Sequence, residues 1–539
     1  MSESDFINRW AEQASDRLNP ILVKETRQAL KSKQFLATFA IMLLGGWLIS
    51  AFVLMSMIGA NDESPIGKNV FPWYFTLLSF TVMLVVPFGA FRSLLAERDL
   101  NTYELLNITT LSPQQIVWGK WLSAQVQTFI YFSAISPFVA FTYLLRGVDF
   151  PTLIFVLLAL MFASMLVALM SLTFSTFARQ RQAQVVLSLV LLGQLVWIMG
   201  ASITTGTLLV SRNSIDFSDP AVYWGGLVIG TYYVALFVLC LQIARAQLTF
   251  ESDNRSTGIR LSGSAIFWLT IGWLSIGFHQ GYFGGTSPST NLATEPIYST
   301  LSVLAVFWGA VCVFAATETE TLSRRVRGQL PKNPLVRLIA VPFLPGGGRG
   351  MLLAVGHLAA LIGLAFLVQR SLHGPDRVHA MNFTSAVSCY IIIYAGLAAV
   401  MGRWLRSATP LFRPAQTRAF AIVMFAVMWM VPNIFTILRG SGRTTNELLY
   451  LTDPVHSLVR VSGGGPWAGK IMMALSIAAS LVVLLNLRTM LRGLAEVVLL
   501  REPPPDVPEV IPDIEPVSSD MRRGVMLDSA VAPEPSTTS

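Results

Sequence analysis

A chain of 539 residues with 53% hydrophobic and only 13% charged side chains is excluded from the ordinary soluble class, in which roughly a quarter of residues are charged. Its net charge of +8 divides into −5 for the tail from Pro503 to Ser539 and +13 for the rest. The basic excess is accounted for by membrane orientation and contact with anionic inner-leaflet lipid, and it calls for no nucleic acid partner.

In chain order, residues 1–34 form a charged N-terminal segment with no cleavable signal peptide in view, expected to stay in the cytoplasm. Within it, NPILVKETRQALKSKQFL begins at Asn19. At helical spacing Leu22, Val23, Thr26, Ala29, Leu30 and Lys33 share one side, and Lys24, Arg27, Gln28 and Lys31 share the other. This is the pattern of an amphipathic interfacial helix lying in the headgroup layer. Whether it only anchors the N-terminus or also transmits motion is left open by the spacing.

Twelve apolar segments follow, near 35–59, 70–91, 121–145, 151–177, 183–210, 221–243, 263–283, 297–316, 351–369, 381–401, 419–438 and 467–487. Each is long enough for a bilayer core, which needs roughly 20 apolar residues per helix. The expected fold is therefore an all-α polytopic membrane protein with about 12 transmembrane helices, an N-terminal amphipathic interfacial helix and a disordered C-terminal tail. With the N-terminus inside, 29 of the 38 Lys and Arg residues fall in cytoplasmic segments. That bias predicts a multi-pass protein of the inner or plasma membrane with both termini cytoplasmic.

Between the second and third apolar runs lies a polar island, RSLLAERDLNTYELLNITTLSPQQIVWGK, from Arg92 to Lys120. Its charge is too high for the bilayer and its pattern too regular for a slack linker. Glu97, Arg98, Asp99 and Glu104 suit a short helix near the membrane, to which Tyr103, Leu105 and Leu106 give an apolar side. The Ser112 hydroxyl suits a helix N-cap with Pro113 in the first position. The next helix then enters the third span, with Lys120 expected to reach the lipid headgroups. Two short helices mounted on two spans form a lever.

These residues resemble the type-2 family of ATP-binding-cassette (ABC) exporter permeases. The family pattern runs Arg, Glu, a Gly-Thr-x-Glu-Leu-Leu stretch, Pro-Leu-Ser and Gly-Lys. Arg92, Glu97, Thr102, Glu104, Leu105, Leu106, Leu111, Ser112, Pro113, Gly119 and Lys120 follow it in order. The N-terminal NPILVKETRQAL is similar to the family's amphipathic connecting helix, and the match extends over about residues 19–245. Asn101 stands where Gly is usual, and Thr110 where Pro is common.

The resemblance implies a six-span permease domain at 35–245 whose coupling loop, 92–120, docks on a separate ATPase subunit. The coupling residues it implies are Arg92, Glu97, Arg98, Thr102, Glu104, Leu105, Leu106, Ser112, Pro113 and Lys120. ATP and Mg²⁺ are then expected on the partner ATPase and no cofactor on this chain, which acts as a transporter permease and not as an enzyme. The nearest thing to a P-loop, GGPWAGKI from Gly464, has Ile471 where the Mg²⁺-binding hydroxyl belongs.

Residues 246–500 hold six further spans that start from the same side, as a degenerate parallel repeat would. In that register the loop from Thr317 to Gly350 stands where the island stands, and RPAQ from Arg413 stands opposite RQAQ from Arg181. A true repeat supplies both halves of a pathway from one chain. An accessory second half instead leaves the first to pair with a homodimer partner or a second permease. The tail, 501–539, is Pro-rich and acidic, with too little apolar area to fold alone.

Two rival functions are weighed against export. An ion-coupled secondary transporter normally carries an ionisable group inside the membrane. No Asp or Glu lies in any expected span, Glu318 and Glu320 stand at a cytoplasmic end, and His357 suits packing. An accessory membrane scaffold of an ABC complex is the other alternative. A membrane enzyme is disfavoured: there is no HExxH and no GxSxG, and His279, Gln280, His373, Asp376 and His379 suit outer-loop polarity. Cys240, Cys312 and Cys389 all fall within spans, as buried apolar side chains and not as a metal or disulfide set. Gln125, Gln127, Ser133, Ser136, Ser164, Ser171, Thr173, Gln184, Ser188 and Gln194 suit either a pathway lining or glue between helices.

Overall fold

The computed structural model describes residues 20–57, 66–99, 112–178, 180–212, 215–250, 253–279, 295–320, 322–368, 375–409, 412–439, 451–462 and 467–499. Twelve of its helices are long and apolar enough to cross a membrane, and no strand occurs among the described residues. A lone helix closes its own backbone hydrogen bonds, the condition that hydrocarbon imposes on any segment crossing it. The chain is a multi-pass helical membrane protein, in agreement with the twelve expected spans. The C-terminal tail lies outside the described residues.

Spans 1 to 6 are Lys33–Met57, Ile66–Asp99, Pro113–Leu144, Phe150–Phe177, Arg181–Arg212 and Pro220–Leu248. Spans 7 to 12 are Thr257–His279, Glu295–Ala316, Gly347–Val368, Pro375–Ala408, Pro414–Arg439 and Ala468–Val498. Among the described residues, four short α-helices lie outside them, α1 (Pro20–Leu30), α2 (Arg324–Gly328), α3 (Pro334–Ala340) and α4 (Pro454–Ser462), with a 3-10 turn at Val341–Phe343. Several starts are written locally. Spans 3, 4 and 6 carry Pro in the first turn, behind Ser112, Asp149 and Asp219, whose side chains accept the N–H groups of Gln115, Thr152 and Ala221.

Span 2 is the enclosed centre of the first set. Phe71, Tyr74, Phe75, Leu78, Val82, Met83 and Phe91 on it are all buried. Its middle, Phe80–Val85, is a π-helical segment, which shifts the helix register and presents Thr81, Val82 and Met83 to neighbours in succession. The island's expected first helix is corrected here: Glu97 and Asp99 belong to the last turn of the span 2 helix and not to a separate element. In the second set, span 10 holds the enclosed place.

The two sets pack by one scheme. In the first, the substantial contacts are 1–2, 1–3, 2–3, 2–4, 2–5, 3–4, 3–6, 4–5 and 4–6. In the second they are 7–8, 8–9, 8–10, 8–11, 9–10, 9–12, 10–11 and 10–12. Shifted by six, every pair of the second set occurs in the first. Spans 5 and 11 are the least enclosed members of their sets; RQAQ opens the span 5 helix, and RPAQ straddles the start of span 11, with Arg413 just before it. Between the sets, the substantial contact is span 6 on span 7.

The segment between spans 8 and 9 folds onto its own set. Leu322, Val326, Val341 and Leu344 form a small core with Val497 of span 12. It ends in LPGGGRG, where Gly346 adopts φ +132°, a backbone conformation open to glycine. A Cβ on Gly348 would collide with the Thr489 carbonyl of span 12, and one on Gly350 with the Ala315 carbonyl of span 8. Bare backbone therefore lets span 9 start wedged between two helices.

Gly350→Ala is expected to lower stability by about 1–3 kcal/mol through overpacking against rigid backbone. Gly356→Ala, on the same helix with open space around it, is expected to leave the melting temperature in detergent unchanged. Equal melting temperatures for the two variants would contradict the close approach.

Candidate coupling site

The sequence-expected site residues divide into three groups. Thr102, Glu104, Leu105 and Leu106 lie outside the described residues. Arg92 is exposed on span 2, and Arg98 stands in that helix's last turn with its side chain outside the described residues. Ser112, Pro113, Glu97 and Lys120 carry the geometry.

Ser112 caps span 3 as expected, and more completely than its hydroxyl alone predicts. Its Oγ accepts the Gln115 N–H at 3.3 Å, while the Gln115 side-chain Oε1 accepts the Ser112 N–H at 2.8 Å. This reciprocal capping box satisfies two backbone donors at the point where the island turns into the membrane.

Lys120 requires a correction. Instead of reaching the headgroups, it is 3% exposed and lies between two carboxylates. Its Nζ donates to Glu25 Oε1 at 2.8 Å and stands 3.0 Å from Glu97 Oε1, with the Ser93 carbonyl at 3.4 Å. Seven helical residues of span 3, Pro113 to Gly119, precede Lys120, and α1 packs against this helix, so the Lys120 side chain meets protein before it meets lipid. A lysine with no carboxylate beside it would have to snorkel; here two are supplied.

Glu25 is the member of this triad that the sequence did not point to. It lies one helical turn after Ile21, the buried residue of α1, so the protein-facing stripe of α1 runs through Ile21 and Glu25. Lys24, Arg27, Gln28 and Lys31 are exposed, as the amphipathic reading expects. The available signal was a lone acid in a helix whose other charges are all basic.

An apolar cluster packs the elements that carry the triad against spans 4 and 6. Ile21 of α1, Leu94 of span 2, Ile116 and Val117 of span 3, Leu169 and Leu172 of span 4, and Leu241 and Ala244 of span 6 form one buried cluster. Trp118 and Trp121 meet edge to face at 5.1 Å, and the Trp121 indole donates to the Met165 carbonyl of span 4 at 2.9 Å. Low polarity around the triad strengthens each charge interaction and raises the cost of separating the partners.

The second set closes the matching corner with arginines in place of the lysine. Arg260, in the first turn of span 7, is fully buried. Its Nη2 donates to Glu318 Oε2 at 2.7 Å and to the Ala315 and Gly346 carbonyls at 3.1 and 3.0 Å, and its Nη1 to the Pro342 carbonyl at 3.0 Å. Glu318 also accepts from Ser256 at 2.6 Å and from the Gly346 N–H at 3.0 Å. Arg349, at the start of span 9, donates to Glu496 of span 12 at 3.1 Å and to the Glu320 carbonyl at 3.1 Å. Arg418 of span 11 and Arg406 of span 10 both reach Thr317. Two carboxylates hold one cation in the first set; in the second, two arginines are held by Glu318 and Glu496.

The polar residues inside the spans mostly spend their bonds locally. Ser133, Ser136 and Ser164 each donate to the carbonyl three residues back on their own helix. Thr173 also reaches the Cys240 carbonyl of span 6 at 3.2 Å, which is glue between helices. His357 packs its ring 4.7 Å from that of Trp308 and pairs Nδ1 with the Leu353 carbonyl at 3.0 Å. Among the described residues no group of three His, Cys, Asp or Glu is placed to hold a metal ion.

Fold and site together define a multi-pass helical membrane protein with a buried ionic node on the side where its N-terminal helix lies. No family model, curated protein or solved structure matches the chain.

Lys120→Met leaves Glu25 and Glu97 facing each other without their cation. Breaking a buried pair in this way costs about 3–5 kcal/mol. The expected readouts are a lower melting temperature and faster tryptic cleavage in α1. Lys24→Met, at an exposed position, should melt like the parent, and the same result for Lys120→Met would rule out the triad. For the second node, Arg260→Met should lower the melting temperature far more than Arg325→Met, since the Arg325–Asp253 pair is solvent-facing and such pairs are worth about 0–1 kcal/mol. Similar losses for both would contradict the burial of Arg260.

Proposed function

We propose that this chain is the membrane-spanning permease subunit of an ABC-type exporter, driven by ATP hydrolysis on a separate ATPase subunit. The observation that carries the reading is the triad of Glu25, Glu97 and Lys120. It ties the amphipathic helix, the end of span 2 and the start of span 3 into one body at the two roots of the island. A force on the segment between them then moves three elements together and does not dissipate in a loose loop. The ordered resemblance of Arg92 to Lys120 to the type-2 permeases supplies the partner, with ATP and Mg²⁺ held there.

In this reading both termini face the cytoplasm of an inner or plasma membrane, and closure of the ATPase rearranges spans 1 to 6 to release substrate outward. Spans 7 to 12 are a degenerate parallel repeat that forms the second half of the pathway, a reading supported by the shared pairing scheme.

Purification of the tagged chain from its native membrane is expected to bring with it a P-loop ATPase, and Glu104→Arg is expected to abolish that association while the chain still elutes as folded protein. Native mass spectrometry of the complex should count one copy of this chain. Solute uptake driven by an ion gradient in vesicles holding the purified chain alone would overturn the export reading, and two copies per complex would overturn the repeat's role.

A further inference from the structure

The segment between spans 8 and 9 stands, by the shared pairing scheme, where the island stands in the first set. Its root is locked by Arg260, Glu318 and Arg349, but its middle presents an unusual surface. On α3, Leu335, Val336, Leu338 and Ile339 are 69%, 46%, 48% and 72% exposed. These are four large aliphatic side chains on a helix of seven residues, outside every span.

Charge says what meets that surface. From Arg324 to Phe343 the sequence holds Arg324, Arg325, Arg327, Lys332 and Arg337 and no acid. Asp253 neutralises Arg325 and Glu496 neutralises Arg327. Arg337 donates to the Pro331 carbonyl, which draws it back over the preceding turn. Arg324 and Lys332 are exposed and have no acidic partner among the described residues. Aliphatic side chains beside uncompensated cations match the boundary between acyl chains and anionic headgroups.

Position agrees with charge. α3 packs against span 12, and the small core beneath the segment reaches Leu494, Val497 and Val498 in that helix's last turns. The segment therefore sits where span 12 leaves the membrane. The apolar stretch Pro334–Phe343 is about half the roughly 20 residues needed to cross a bilayer, so it lies along the surface.

We propose that Arg324–Phe343 is a membrane foot: its Leu335–Ile339 row inserts among acyl chains, and Arg324 and Lys332 bind the phosphates of anionic lipid. The foot needs no ATPase, so it stands or falls separately from the export reading. It makes the second set's counterpart of the island a lipid-bound anchor.

The test places a nitroxide at Ile339→Cys in the full-length chain, with half-buried Cys240 replaced by Ala, in nanodiscs of phosphatidylcholine mixed with phosphatidylglycerol. A second label at Ser218→Cys, exposed in the polar turn between spans 5 and 6 and outside the foot, gives the water-facing reference. Collisions of the Ile339 label with oxygen are expected to exceed those with a water-soluble nickel chelate, and the Ser218 label should show the reverse. Arg324→Glu with Lys332→Glu should move the Ile339 label toward the nickel-accessible pattern and reduce the phosphatidylglycerol retained in native mass spectra. Nickel accessibility of the Ile339 label equal to that of the reference overturns the proposal. So does shielding from both reagents, because a protein surface then covers the row. If truncation after residue 500 lifts that shielding, the occupant is the acidic tail.

Discussion

A cation placed at the edge of an apolar bundle has to be neutralised by protein, by headgroup or by water, and the choice decides what the surrounding helices can do. Lys120 and Arg260 are both neutralised by protein. Because the penalty for separating such pairs is large where polarity is low, the elements carrying the partners move as one. α1 is joined in this way to spans 2 and 3, and span 7 to the end of span 8 and the glycine-rich start of span 9.

The two nodes solve one problem with different cations. In the first set, two carboxylates converge on one ammonium, a compact charge with three rotatable donors that both can share. In the second, guanidinium groups are used, and their wider fork also collects backbone carbonyls from Ala315, Pro342 and Gly346. The second also holds down the loop between spans 8 and 9. Two sets with one pairing scheme thus differ in what their equivalent corners hold.

Much of the architecture was legible in the sequence because lipid imposes so few choices. Twelve apolar stretches of span length become helices since no other structure lets a lone segment satisfy its backbone. The Ser112–Pro113 start was readable too, because capping is local chemistry. Lys120 was misread for the opposite reason: its burial depends on Glu25, 95 residues earlier, and a spacing of that length carries no periodic signal. Glu97 and Lys120 were both singled out within the island, but what joins them is the third residue, on a helix read only for its basic and apolar faces.

By itself, the sequence determined the helical class, the span count, the local caps and the contrast between polar segments and apolar runs, all of which follow from composition and spacing along the chain. Only the tertiary structure decided which charges meet, that GGGRG serves as a crossing point for three helices, and that Leu335 to Ile339 stay uncovered. Those outcomes depend on distances between residues far apart in the chain, and the free energy of a charge or an aliphatic side chain is set by its neighbours in space.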